Sequence, residues 1–272
     1  MARPLRICFP GAVYHLMSRG NARESIYVDD DDRLRFLRTL AHVVARFGWL
    51  CHAYCVMDNH YHLVVETPRP NLSVGMRQLN GLYAQRYNER HDRCGHVFQA
   101  RFRSILVEKE SHLLAVCRYV VLNPVRAGIC TDLGAYRWSS YRATAGLEAP
   151  EAFLHTDWLL AQFGQARGVA QARYREFVAD GLSDALEVRG ERLGSGVFLR
   201  ERHGPDPPLT DIPRIQVEPL PPTLEEIFAR SRHAPVATAY RRHGYPLRAI
   251  AEYLGCHYST VSRRLRREEA AA

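Results

Sequence analysis

Apolar residues crowd or alternate in four short stretches of the first 110 positions, and they recur at helical spacing between those stretches. Ala12–Ser18 reads as a strand. A helix follows the acidic start Asp29–Asp32, where carboxylates suit a helix N-terminus, with Leu34, Leu37, Ala41 and Val44 as its apolar stripe. Trp49–Met57 and His60–Thr67 read as strands joined by a tight turn at Asp58-Asn59. A second amphipathic helix spans about Leu72–Glu89, with Leu72, Met76, Leu79, Tyr83 and Tyr87 on one face. Arg101–Glu108 reads as a fourth strand. Ser111 then caps a helix with the stripe Leu113, Leu114, Cys117, Val120 and Val121, which ends near Pro124.

This order, β-α-β-β-α-β with an appended helix, is the ferredoxin-like pattern: an α+β fold with a four-stranded antiparallel sheet and helices on one face. Residues 136–200 read as mostly helical, with Trp138, Trp158 and Phe163 as core candidates. Seven of the 15 prolines fall in His203–Pro222, which reads as a stiff linker. The chain therefore divides into a body at 1–141, a helical extension at 142–202, a linker at 203–222 and a helical tail at 223–272.

The tail is patterned as a helix–turn–helix. Leu247, Ile250, Ala251 and Leu254 form the inner face of its first helix, Gly255 supplies the left-handed turn, and Val261 and Leu265 anchor the second helix. Tyr258, Ser259, Thr260, Ser262, Arg263 and Arg264 are left to face DNA, where a second helix enters the major groove. A plain helical hairpin is the alternative.

Charge adds to this. The chain has 272 residues and a net charge of +8; 36 of its 37 basic residues are arginine, and Lys109 is the one lysine. A basic surface suits a polyanion and the guanidinium fork suits phosphate, although a GC-rich genome also favours arginine. The composition excludes a disordered chain and a disulfide mini-protein. No apolar run approaches the ~20 residues of a membrane span, and Met1–Arg6 lacks the apolar core of a secretory signal. The seven cysteines are irregularly spaced, which predicts reduced thiols in the cytoplasm.

Three sets of residues are candidates for chemistry. His60 and His62 are two apart on a predicted strand, so both imidazoles face one side and suit one metal ion, or pack there incidentally. Tyr119 and Asn123 are four apart on the last helix of the body; a packing ring and a cap before proline is the other reading. Arg101, Arg103, Lys109, Arg118 and Arg126 interleave with Phe98, Phe102 and Tyr119, giving cations for a backbone and rings for stacked bases, or a solvated basic face.

Five segments together carry a family resemblance. They are Ser18-Arg19-Gly20-Asn21, Tyr54-Cys55-Val56-Met57-Asp58-Asn59-His60-Tyr61-His62-Leu63 and Gly95-His96-Val97-Phe98-Gln99-Ala100-Arg101-Phe102, followed by Arg118-Tyr119-Val120-Val121-Leu122-Asn123-Pro124-Val125-Arg126-Ala127-Gly128 and Trp138-Ser139-Ser140-Tyr141. In this order they resemble the REP-associated tyrosine transposases, a branch of the HUH single-strand transposases, over about residues 8–200. The tail is similar to the helix–turn–helix of the replication initiator DnaA. Asp58 stands where the family usually has proline, in a turn, so no chemistry is expected to be lost.

The resemblance implies an HUH nuclease domain in which His60 and His62 bind a divalent metal, Tyr119 is the nucleophile and Asn123 is a third, amide ligand. It implies Mg2+ or Mn2+, whereas two imidazoles and an amide taken alone suggest Mn or Zn. It implies single-stranded DNA folded into a hairpin as substrate, cleaved and rejoined through a 5′-phosphotyrosine. Arg19, with the basic residues above, would contact that DNA, and the tail would hold duplex. A monomer and a swapped homodimer both occur among the relatives. A non-catalytic DNA-binding regulator and a water-using phosphoesterase are the competing readings.

Overall fold

The computed structural model describes residues 7–182, 192–193, 222–231, 234–243, 245 and 247–270. The strands of the body are β1 (Ala12–Arg19), β2 (Leu50–Val56), β3 (His60–Thr67) and β4 (Arg103–Val107). β1 pairs antiparallel with both β3 and β4, and β2 pairs antiparallel with β3. The order β2-β3-β1-β4 is the ferredoxin-like sheet, and a two-residue strand, β5 (Arg192–Leu193), follows β4 at its edge. That fifth strand was not expected.

Helix α1 (Asp30–Phe47) starts as the acidic run predicts. Asp29 caps it by accepting from the Asp32 amide at 3.0 Å, and Gly48, at φ +66°, ends it in the left-handed region. The predicted stripe is displaced: Leu34 is exposed and Ala41 half-buried, while Phe36, Leu37, Leu40, Val43 and Val44 are buried. Phe36 decides the rotation by packing against Tyr61 on β3 and Tyr83 on helix α2 (Leu72–Arg90), with ring centroids 4.6 and 5.3 Å away. All five predicted α2 residues are buried.

The last helix of the body, α3 (Lys109–Arg126), departs from expectation twice. Its N-cap position is Glu108, so Ser111 lies inside the helix. It also runs through Pro124 to Arg126. Pro124 has no N–H for the Val120 carbonyl, and the Asn123 side chain donates Nδ2 to that carbonyl at 3.3 Å and to the Tyr119 carbonyl at 2.9 Å. The helices do not all cover one face. Tyr61, facing α1 and α2, alternates along β3 with His60 and His62, and Tyr119 of α3 lies against His62. The sheet is thus covered on both sides.

Beyond α3 come α4 (Tyr141–Thr144), α5 (Asp157–Ala161) and α6 (Arg167–Asp180). Trp138 is buried, but Trp158 and Phe163 are half-buried, and Leu159, Leu160, Tyr174 and Val178 fill the core there instead. None of the seven cysteines is in a disulfide.

The C-terminal unit is described by itself. It contains α7 (Leu224–Arg230), α8 (Pro235–Ala237), a π turn at Thr238–Arg242, α9 (Leu247–Tyr253) and α10 (Tyr258–Ala270). Thr223 and Glu226 form a capping box at the start of α7. Ile227, Val236, Ala239, Tyr245, Ile250, Ala251, Val261 and Leu265 make its core, with Leu247 and Leu254 packed against it. Gly255 has φ +62°, as the turn between α9 and α10 requires. The predicted linker lies outside the described residues except for Pro222, as does most of the extension after Leu182.

Candidate active site

His60 and His62 stand on the β3 face that α3 covers. Their ring centroids are 5.0 Å apart and nearly perpendicular. Helix α3 brings the Tyr119 ring to 6.1 Å from that of His62, edge-on, and Tyr119 is half-buried there. One chain therefore supplies both histidines and the tyrosine. Asn123 follows one turn after Tyr119; because its Nδ2 is spent on the helix carbonyls, its Oδ1 is the atom left as an acceptor.

Burial sets the electrostatics. It pushes the His60 imidazole down to about 4, with the Arg19 cation adding to the shift and Asp58 opposing it. His62 lies well below the ordinary histidine range, through burial first and then through His15, His60 and Arg19. Both rings are neutral at pH 7 and keep a lone pair each. Two neutral imidazoles and an amide oxygen are a donor set a divalent cation accepts. Among the described residues no group of three or more His, Cys, Asp or Glu is placed to hold a metal ion.

The register places two of the predicted arginines on the same face. Arg19 lies directly opposite His60, and Arg103 opposite Met17, which is itself opposite His62. Both are exposed. Arg101 is exposed just before β4. Lys109 and Arg118 are engaged inside the chain. Lys109 donates to Glu66 at 2.7 Å and lies over the Trp158 ring, while Arg118 stacks on Phe177 with 4.4 Å to the ring centroid. Arg126 lies over the Tyr119 ring. Asp58, the departure from the family pattern, accepts from Arg33 at 2.7 Å and stays in its turn.

Sequence reasoning missed His15. It is buried on β1, its Nε2 is 2.9 Å from Nδ1 of His62, and its ring stands edge-on to Tyr119 at 5.7 Å. Burial, then Arg103, pushes it down to about 4. Only the β1–β3 register, with Met17 opposite His62, makes His15 a diagonal neighbour of that ligand candidate.

In the C-terminal unit Tyr258, Thr260, Arg263 and Arg264 are exposed on α10, and Ser259 and Ser262 are half-buried. The Ser259 hydroxyl is 2.9 Å from Nδ1 of His257, and Arg264 donates to Glu268 at 3.0 Å.

Residues 8–123 match the family model described as transposase IS200-like, and residues 237–268 match a helix-turn-helix domain. No curated protein is significantly similar to the chain. Among solved structures, a REP-associated tyrosine transposase bound to a REP hairpin is 16 % identical, with a TM-score of 0.47, over 58 % of this chain and 91 % of that one. A transposase candidate from Deinococcus radiodurans R1 is 20 % identical, with a TM-score of 0.33, over 44 % and 96 %. The tRNA(His) guanylyltransferase of Saccharomyces cerevisiae is 8 % identical, with a TM-score of 0.35, over 64 % and 80 %. At these values the three structures are likenesses and carry no argument about activity. No helix among the described residues is long and apolar enough to cross a membrane. Residues 8–123, which place the His60–His62 pair and Tyr119 on one face of the sheet, are similar to the IS200-like transposases.

Proposed function

We propose that the protein is a single-strand DNA endonuclease and strand transferase of the REP-associated type, acting on hairpin-forming repeats. The observation that carries this reading is the approach of Tyr119 to His62 within residues that match the IS200-like transposase model. His60, His62 and the Oδ1 of Asn123 would hold Mg2+ or Mn2+, which would polarise the scissile phosphate. The Tyr119 oxygen attacks phosphorus as the 3′-oxygen of the neighbouring nucleotide leaves; a P–O bond forms, another breaks, and the phenol proton passes to solvent. The products are a 5′-phosphotyrosine and a 3′-hydroxyl. A second 3′-hydroxyl reverses the step and joins a new strand, so no ATP is needed. Arg19, Arg101 and Arg103 flank the face where the DNA backbone would lie, and binding is steeply salt-dependent. The acting unit is a monomer or a homodimer. Duplex DNA is the partner of Tyr258, Ser259, Thr260, Ser262, Arg263 and Arg264 on α10.

The experiment uses 5′- and 3′-labelled single-stranded hairpins from the repeats flanking the gene. Wild type and Tyr119→Phe are incubated with Mg2+, Mn2+ or EDTA and resolved on denaturing gels. The expected result is a cation-dependent, SDS-stable adduct on the 5′ end of one fragment, absent from Tyr119→Phe. Cleavage without an adduct would point to a water nucleophile. Binding without cleavage, abolished by Arg263→Ala with Arg264→Ala, would make the protein a regulator working through α10.

A further inference from the structure

A cation is held only by a ring nitrogen that carries no hydrogen, and the partner of the other nitrogen decides which one that is. For His60 the partner is Asn59, whose Oδ1 is 2.7 Å from Nδ1. The orientation of the Asn59 amide is fixed independently, because its Nδ2 donates to the Arg23 carbonyl at 2.8 Å. An oxygen acceptor therefore faces His60, and Nδ1 of His60 must donate to it. That leaves Nε2 bare.

The Arg23 carbonyl is itself held in place. The Gly20 amide donates to the Asn59 carbonyl at 2.8 Å, and the Arg23 amide donates to the Gly20 carbonyl at 3.1 Å. Ala22 and Arg23 both sit in the left-handed region, at φ +53° and +64°, a rare conformation for side chains of their kind. A Cβ on Gly20 would stand 2.1 Å from the Glu24 carbonyl oxygen, so the turn closes only on glycine. The turn Gly20–Glu24 is therefore the footing of Asn59.

For His62 the partner is His15. The two rings lie within 23° of parallel, and one hydrogen is shared between Nε2 of His15 and Nδ1 of His62. If His15 donated it, His62 would carry its own hydrogen on Nε2 and have no lone pair left for a cation. If His15 accepts, its own hydrogen sits on Nδ1, which is buried without a hydrogen-bond partner, and His62 presents a bare Nε2. We propose that His15 and Asn59 are positioning residues that hold His62 and His60 as their Nδ1–H tautomers, so that both Nε2 atoms are bare before a cation arrives. This rests on the cation-assisted reading above and adds to it the two residues that prepare its ligands.

The test starts with intact, metal-free wild type labelled with 15N-histidine. Long-range 1H–15N spectra should show a protonated Nδ1 and an unprotonated Nε2 for His60 and His62. A protonated Nε2 on either would overturn the proposal for that ring, whatever the variants do. The second arm is Mn2+ binding by titration calorimetry. His15→Ala and Asn59→Ala should weaken it about 10- to 100-fold, and His15→Gln, whose amide oxygen can accept the same hydrogen bond, should recover part of the loss. A folded His15→Ala that binds Mn2+ like wild type would refute the role of His15. Should His15→Ala fail to fold, the wild-type spectra decide. Wild type that binds no Mn2+ would remove the cation reading, while the spectra would still judge the tautomers.

Discussion

Arg126 lies over the ring of Tyr119, its guanidinium carbon 5.4 Å from the ring centroid, and donates Nη2 to the Gly181 carbonyl at 3.0 Å. Arg118, on the other side of Tyr119 in sequence, donates to the Phe177 carbonyl at 3.3 Å. The two arginines thus tie the tyrosine-bearing helix to the last turn of α6, where carbonyls without helical partners and the helix dipole favour cations. Residues after 142 therefore have a physical link to the candidate nucleophile.

In the reaction proposed above, the guanidinium over the ring would hold the Tyr119 side chain in its place beside His62. Arg126→Ala is expected to slow cleavage about tenfold, the equivalent of ~1.4 kcal/mol, and Arg126→Lys to slow it less. Single-turnover rates on a labelled hairpin measure this. Equal rates for wild type and Arg126→Ala would leave Arg126 a structural tie only.

Gly75 sits inside α2, where alanine is normally preferred by about 1 kcal/mol. Here a Cβ would stand 2.1 Å from Cζ2 and 2.6 Å from Cη2 of Trp49. The indole is pinned by its Nε1–H bond to Asn71 at 2.8 Å, so it cannot swing away without losing that partner. Gly75→Ala is expected to destabilise the body by about 1–2 kcal/mol, because overpacking outweighs the gain in propensity. Urea denaturation gives the sign; a more stable variant would show that the indole moves freely.

Glu66 accepts from His52 at 3.1 Å and from Lys109 at 2.7 Å. The His52 hydrogen bond and the Lys109 contact outweigh burial and pull its carboxyl from 4.5 down to about 2. A folded value below the unfolded one means that the stabilisation is complete above pH ~4.5 and is lost as pH falls toward 2. The gap in urea midpoint between wild type and Glu66→Gln should be constant from pH 7 to 5 and close between pH 4.5 and 2.5. A gap that does not change over that range would show that the carboxylate is not the stabilising form.

The elements set by local chemistry were legible in the sequence. The acidic start of α1 caps it, the α2 stripe from Leu72 to Tyr87 is buried as spaced, β3 begins at His60, and Gly255 turns between α9 and α10. The four-stranded order followed from these, because alternating and helical periods are properties of the chain itself. Tertiary structure decided which side each element shows. Phe36 turned α1 away from Leu34 because three aromatic rings converge on it, Tyr27 from the segment before the helix, Tyr61 from β3 and Tyr83 from α2. Asn123 allowed α3 to continue through Pro124 by donating to the carbonyl the proline leaves unpaired. Helix α3 covers the sheet face opposite α1 and α2, and no period in the sequence records that choice. His15 is the clearest case: its place beside His62 comes from the pairing of β1 with β3, made across 47 positions of chain. The sequence determined the elements and the identity of His60, His62 and Tyr119 as candidates; only strand register and helix packing decided that they meet, and what holds them there.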